Sequence, residues 1–366
     1  MSKPLIVVAT GGTAGHVVPA LAVARQLEAD GARVEFVGGD RVEARLVPEA
    51  GYRLHHLRVQ SLPRGRRVAL AQAALVDLAA VGAAVRLLAR ARPQAVYGGG
   101  GYVAAPVGLA AALLRIPLVI AEIDAHLGLA NRMLAPFARR VCLALPLPEH
   151  DPPKFVVTGR PIPPLPPDRA AARARFGVGA GETLVLVFGG SQGARSINRA
   201  AIQAFADRSF RVLHAAGERD LPQLRAPRAG YQLVGYLDGL IDAIVACDLA
   251  VARSGGSIWE LAAAGRPAVL IPYPHATADH QRVNAEYMRR AGAACVIGDE
   301  ELTGERLRAE VDALLADRSR LEAMGRAALG LARPHAAAVI ASEVLAAAAG
   351  GSGVAGAGNE RVQLKP

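Results

Sequence analysis

Aromatic residues make up only 4% of this 366-residue chain, although 52% of it is hydrophobic. Large rings cannot fill such an interior, so the cores must be Ala, Val and Leu packed between layers, as α/β folds allow. Cysteine is equally scarce. Cys142, Cys247 and Cys295 are odd in number, far apart and without CxxC spacing. That argues against a disulfide framework or a structural zinc site and for a reducing compartment. Lysine occurs only at Lys3, Lys154 and Lys365, and none follows a glycine loop, which argues against a P-loop NTPase. The longest apolar run, Val103 to Leu114, stops at Arg115 and Pro117, short of the ~20 residues needed to cross a bilayer. The opening MSKPLIVVAT enters a strand directly and lacks signal-peptide anatomy. A soluble or peripheral protein of two domains is expected.

Arginine is present in excess, and unevenly. Residues 1–160 carry 19 Lys+Arg against 11 Asp+Glu, or +8, while residues 161–366 carry 23 against 21, or +2. A general preference for arginine does not explain that asymmetry, which points to an anionic partner for the first half. Nucleic acid fits poorly, because lysines and interleaved aromatics are few.

Short β-branched runs alternate with Ala/Leu-rich helical stretches. Strands are expected at Leu5–Ala9, Val34–Val37, Ala95–Tyr97, Leu118–Ile120 and Phe155–Val157, then at Leu184–Phe188, Arg211–His214, Leu249–Ala252 and Ala268–Ile271. This rhythm implies parallel sheets covered on both faces. The proline-rich stretch from Pro146 to Pro167 reads as a linker. The expected division is therefore 1–160, 161–349 and a glycine-rich, disordered tail at 350–366, with the last helix able to cross back.

The halves echo one another. LIVVAT leads to GGTAGH and a helix, and TLVLVF leads to GGSQGAR and a helix. A strand entering a glycine turn and then a helix offers unpaired N–H groups to a phosphate. One such loop is often only a tight turn; two at matching positions suggest duplicated nucleotide-binding architecture. GGGGYVAAP follows AVY, and RSGGSIWELAAAGRP follows DLAVA, where Glu260 lies one turn inside a helix. That carboxylate could accept ribose hydroxyls or simply complement the helix dipole. Asp40, after VEFVGG, is the nearest candidate for a dinucleotide's ribose partner.

GGTAGH, GGGGYV, AEIDAHLGLANRMLA, GGSQGAR, RSGG…E and DHQRVNA occur in an order that resembles the MurG family, the peptidoglycan UDP-N-acetylglucosamine transferases of GT-B fold. The resemblance spans roughly residues 5–345. It implies an α/β GT-B architecture of two Rossmann-like domains with parallel sheets facing across a cleft. It implies transfer of N-acetylglucosamine from its UDP carrier to the C4 hydroxyl of a polyprenyl-pyrophosphoryl N-acetylmuramyl-peptide, with inversion. The donor side would comprise Ser191, Gln192, Gly193, Leu237, Arg253, Ser254, Gly255, Gly256, Ser257, Glu260, His280 and Gln281. The acceptor side would comprise Thr13, Ala14, Gly15, Tyr102, Asp124, Asn131 and Arg160, with some of these reaching the donor sugar. The chain departs from the family at Ala14 for glycine, Ala121 for histidine, Asp124 for an amide, and Pro163 for an arginine that Arg160 or Arg253 could replace.

His16 is the candidate base, since an imidazole suits proton transfer near neutral pH; capping its helix or binding a diphosphate are the alternatives. Glu122 is the second catalytic candidate. No cofactor and no metal are expected, because helix ends can neutralise the leaving diphosphate. The helix from Arg64 to Pro93, with Arg64, Arg66 and Arg67 at one end and Arg86, Arg90 and Arg92 at the other, either rests on an anionic membrane surface at its cytoplasmic face or is an ordinary layer helix. The alternatives in function are another GT-B glycolipid transferase, a UDP-N-acetylglucosamine 2-epimerase and a nicotinamide-dependent oxidoreductase.

Overall fold

The computed structural model describes residues 3–59, 67–148, 150–190, 193–276 and 279–350. Residues 351–366, expected as a tail, lie outside them. By internal contacts the chain forms two compact units. The first is Met1–Pro163 with the segment beginning at Arg333, and the second runs from Pro164 to Ala332.

The first unit holds seven parallel strands: β1 Leu5–Ala9, β2 Arg33–Gly38, β3 Leu54–His56, β4 Ala95–Gly98, β5 Leu118–Glu122, β6 Arg140–Leu143 and β7 Phe155–Val157. Their order is β3-β2-β1-β4-β5-β6-β7. All five residues of β1 are buried, as expected of a strand covered on both faces. The second unit holds six parallel strands: β8 Leu184–Phe188, β9 Arg211–Ala215, β10 Tyr231–Val234, β11 Leu249–Ala252, β12 Ala268–Leu270 and β13 Ala294–Val296. Their order is β10-β9-β8-β11-β12-β13. Each sheet reverses its strand order at its first strand, β1 or β8. The loops that follow these strands therefore sit at the switch points where open α/β sheets bind ligands.

The helix Ala336–Ala348 packs on the first sheet. Ile340, Ala341, Val344 and Ala347 join the core of Ile6, Val8, Phe36 and Tyr97. Arg140 on β6 pairs with the buried Glu343 at 3.1 Å, fixing the helix that returns from the second unit.

A buried polar chain supports the second sheet. His214 on β9 lies between the Tyr231 hydroxyl at 2.7 Å and Asn198 Oδ1 at 3.0 Å. Asn198 donates through Nδ2 to Ala216 O at 2.9 Å and to Asp220 at 3.2 Å. Burial lowers the His214 pKa to about 4. The unfolded chain therefore takes up this proton first, and stability should fall as pH drops from about 6.5 toward 4. The loss is about 3 kcal/mol at most by that linkage. Thermal melts across this range should slope downward for the native chain and flatten for His214→Gln. Equal slopes would contradict a neutral His214.

Candidate active site

In the first unit the loop after β1 is shaped by close backbone approach. Gly12 adopts φ +110°, open to glycine at little cost. A Cβ at Gly101 would lie 1.9 Å from the Gly11 carbonyl oxygen, so the Gly98–Gly101 run lies directly against the first loop.

Sequence reasoning missed the residue that holds these pieces together. Glu43 is fully buried. It accepts hydrogen bonds from Gly12 N at 2.9 Å, Gly39 N at 3.0 Å and the Tyr102 hydroxyl at 2.9 Å. Burial alone would raise its pKa, but the bonds from Gly12, its own amide, Tyr102 and Gly39 outweigh that and lower it. Burial and then Glu43 push the Tyr102 hydroxyl up to about 12, so it remains a donor. Tyr102 is thus committed to Glu43, with Arg41 stacked 4.9 Å from its ring centre. Asp40 is 78% exposed and pairs with His56 at 3.1 Å. The glycine pair ending β2 was the available signal, and it pointed to Asp40 rather than to a carboxylate one helical turn later.

His16 sits in the first turn of the helix Ala14–Ala29, its N–H donating to Thr13 O at 3.0 Å. Its ring packs against Gly100, and its Nδ1 is buried without a hydrogen-bond partner. The ring opens on a cavity of about 230 Å³ also lined by Tyr102, Glu122, Asp124, Gly128 and Asn131. Burial lowers the His16 pKa; Asp124 opposes this and Arg160 reinforces it. The imidazole is therefore neutral at pH 7 and can accept a proton.

Glu122 is 5% exposed. It accepts from Asp124 N at 3.1 Å, Gly128 N at 2.8 Å and Asn131 Nδ2 at 2.9 Å. Burial raises its pKa, while these three bonds pull the other way and the Asp124 charge adds to the rise. This geometry makes Glu122 the pin of the 122–131 loop. Asn131 Nδ2 also reaches Ala121 O at 3.0 Å, within β5. Arg160 donates to Ile123 O at 3.3 Å and Gly15 O at 2.7 Å; it joins the two loops. Thr13, Ala14 and Gly15 are exposed, so the Ala14 methyl meets no steric obstacle within this unit.

In the second unit Ser191 and Gln192 lie outside the described residues. Gly193 has φ +71°, and a Cβ there would meet Ala216 O at 2.1 Å. Arg253, at the end of β11, is 8% exposed. It donates to Ile271 O at 3.2 Å, Pro272 O at 3.1 Å, Asp299 at 2.6 Å and Ser196 Oγ at 2.9 Å. It braces the ends of neighbouring strands. Asp299 and Ser196 are further residues that no motif flagged.

Ser254 is buried and donates to Gln281 O at 2.7 Å, while Asn284 Nδ2 donates to Ser254 O at 3.0 Å. Gln281 Oε1 accepts from Tyr273 N at 3.0 Å. DHQRVNA is thereby docked on RSGG, bringing Gln281 beside Gly255, with His280 as the first residue of its helix. The amides of Gly255, Gly256 and Ser257 have no acceptor among the described residues, although the carbonyls of Gly255 and Gly256 accept from Ile258 and Trp259. Glu260 lies in the first turn of the helix Ile258–Ala263. Leu237 follows β10 beside the exposed Tyr236 and is not among the residues that this cluster gathers.

Residues 6–143 match the glycosyltransferase family 28 N-terminal domain, and residues 184–341 match its C-terminal domain. A relative from Moorella thermoacetica is 40% identical over 364 residues, covering 93% of this chain and 98% of its own. One from Alkalilimnicola ehrlichii is 42% identical over 362 residues, with the same coverage. Both are named UDP-N-acetylglucosamine–N-acetylmuramyl-(pentapeptide) pyrophosphoryl-undecaprenol N-acetylglucosamine transferase. The crystal structure of Acinetobacter baumannii MurG matches with a TM-score of 0.75 at 30% identity, over 93% of this chain and 99% of that one. With two Rossmann-like parallel sheets of the GT-B kind and both family domains along its length, this chain belongs to glycosyltransferase family 28 and, within it, to the MurG group.

Proposed function

We propose that this enzyme transfers N-acetylglucosamine from UDP-N-acetylglucosamine to the C4 hydroxyl of the N-acetylmuramyl sugar on an undecaprenyl-pyrophosphoryl-peptide acceptor. The observation that carries this reading is the near-full-length similarity to relatives bearing that name. The chemistry is a single displacement. The acceptor oxygen bonds to the anomeric carbon as the carbon–phosphate-oxygen bond breaks, and UDP leaves with that electron pair. The hydroxyl proton passes to a ring nitrogen of His16, whose lowered pKa leaves it unprotonated. Asp124 then faces the imidazolium, and its charge favours that form. Glu122 holds the loop carrying Asp124. The free amides of Gly255, Gly256 and Ser257 take the negative charge developing on the leaving diphosphate, Glu260 takes the ribose, and Gln281 takes the sugar hydroxyls. By the family resemblance, Ser191, Gln192 and Gly193 would contribute to the same diphosphate.

Stereochemistry tests this reading. The α-linked donor should give a β-linked disaccharide. An α-linkage, or release of a free epimerised sugar, would overturn it.

The enzyme works peripherally on the cytoplasmic face of an anionic membrane. No described helix is long and apolar enough to cross a bilayer. Large apolar side chains are instead exposed along successive helices that pack on one another: Leu78 on Arg67–Ala91, Leu113 on Ala104–Leu113, Leu129 and Met133 on Leu129–Leu134, and Phe137 just beyond. Arg86 and Arg90 supply charge on the first of these helices; Arg64 and Arg66, and the side chain of Arg67, lie outside the described residues. Flotation with vesicles containing phosphatidylglycerol should fall severalfold for Phe137→Glu, by loss of apolar burial. Unchanged flotation would place the contact elsewhere.

A further inference from the structure

A cavity of about 590 Å³ opens in the first unit among Arg33, Glu35, Arg53, His55, Arg86 and Arg90. It lies at the opposite end of the sheet's strands from the glycine loop after β1. Leu5, also on its wall, begins β1, Arg33 begins β2, and Arg53 immediately precedes β3. The loop carrying His16 follows the other end of β1, on the order of 15 Å away along a five-residue strand. The cavity is thus separate from the transfer site, and its volume falls in the range of roughly 300–1,000 Å³ usual for small-molecule sites.

Its charge is unbalanced. Four arginines and one carboxylate, Glu35, line the cavity, and Glu35 is already engaged by His55 Nε2 at 2.7 Å and lies 3.9 Å from Arg33. The guanidinium groups of Arg53, Arg86 and Arg90 have no ion-pair or hydrogen-bond partner among the described residues. Arg140 and Arg160 of the same unit are committed, to Glu343 and to two carbonyls. Arg90, in the last turn of its helix, also complements the helix dipole. That explanation does not extend to Arg33 and Arg53, which come from the strand side of the cavity. Planar guanidinium forks gathered on one cavity lining match the oxygens of a phosphate.

We propose that this cavity is a second, non-catalytic site that binds a phosphate-bearing anion. The same chemistry could be presented by a soluble diphosphate or by an anionic phospholipid headgroup. Two measurements on the full chain separate these sources, each made on the native chain and on Arg33→Gln/Arg53→Gln. One is equilibrium dialysis against labelled inorganic pyrophosphate, with saturating UDP present. The other is flotation with phosphatidylcholine vesicles containing or lacking phosphatidylglycerol.

Losing charge-assisted bonds at this site should weaken binding by about tenfold or more. Loss of pyrophosphate binding with flotation intact identifies a soluble ligand. Loss of phosphatidylglycerol-dependent flotation identifies a headgroup. In either case sugar transfer in detergent should be unchanged, since neither arginine belongs to the transfer site. Should the double variant fail to fold, Arg33→Gln alone serves, because that side chain is 64% exposed. A folded variant that binds both probes as the native chain does, or a native chain that binds neither, overturns the proposal.

Discussion

Replacing His16 by alanine is expected to lower turnover by ~10²–10⁴-fold, the usual contribution of a positioned general base. The expectation rests on geometry. The ring is buried against Gly100 with Nδ1 unpartnered, at the wall of a cavity shared with Glu122, Asp124 and Asn131. A capping role would use the side chain to bond the helix's first amides, and none of the described bonds does so. The pH dependence supplies a second reading. Because burial lowers the His16 pKa below its ordinary 6.5, kcat/KM should stay flat through neutrality. It should fall only as acid protonates the ring, with a midpoint below 6.5. Asp124 holds that pKa up, so Asp124→Asn should move the acid limb further toward low pH. Near-normal turnover in His16→Ala, with the acid limb retained, would remove His16 from the chemistry.

The second large effect is structural. Glu43→Ala should destabilise the first unit by about 3 kcal/mol or more, because three donors lose their acceptor at ~1–3 kcal/mol each when buried. Gly12 N, Gly39 N and the Tyr102 hydroxyl are those donors. Tyr102→Phe removes one bond and should cost about 1 kcal/mol. Since Glu43 has a lowered pKa in the folded state, its contribution is present above the unfolded carboxylate value and is lost as acid protonates it. Glu43→Ala should therefore also blunt the acid sensitivity of unfolding. The variant's transfer rate should fall as well, because Gly12 belongs to the loop that presents His16. A melting temperature equal to that of the native chain would show that the carboxylate is not the anchor.

The long central strands were legible from β-branched runs, and β1, β8 and β11 have the limits that their composition suggests. β3, β10 and β13 were not read. They are three or four residues long and lie at the edges of their sheets, where partial exposure erases a continuous apolar run. β6, the RVCL of Arg140–Leu143, starts on a charged residue because Arg140 faces Glu343.

The glycine loops, His16, Asp124, Asn131 and Gln281 were legible as candidates because motifs carry them in sequence. Glu43 and Asp299 were not, because each acts through a partner distant in the chain: Gly12 and Tyr102 for Glu43, and Arg253 for Asp299. Arg160 and Arg253 were legible as candidates, but the partners that occupy their guanidinium groups were not. Whether an arginine meets a ligand or a carbonyl depends on packing that only the fold reveals.

The most direct measurement is transfer itself. The enzyme should be mixed with labelled UDP-N-acetylglucosamine and an undecaprenyl-pyrophosphoryl-N-acetylmuramyl-peptide, and label followed into the organic phase. The account predicts label on the lipid with one UDP released per sugar moved. Label that remains in water while UDP accumulates, or no UDP release with this acceptor, would contradict it.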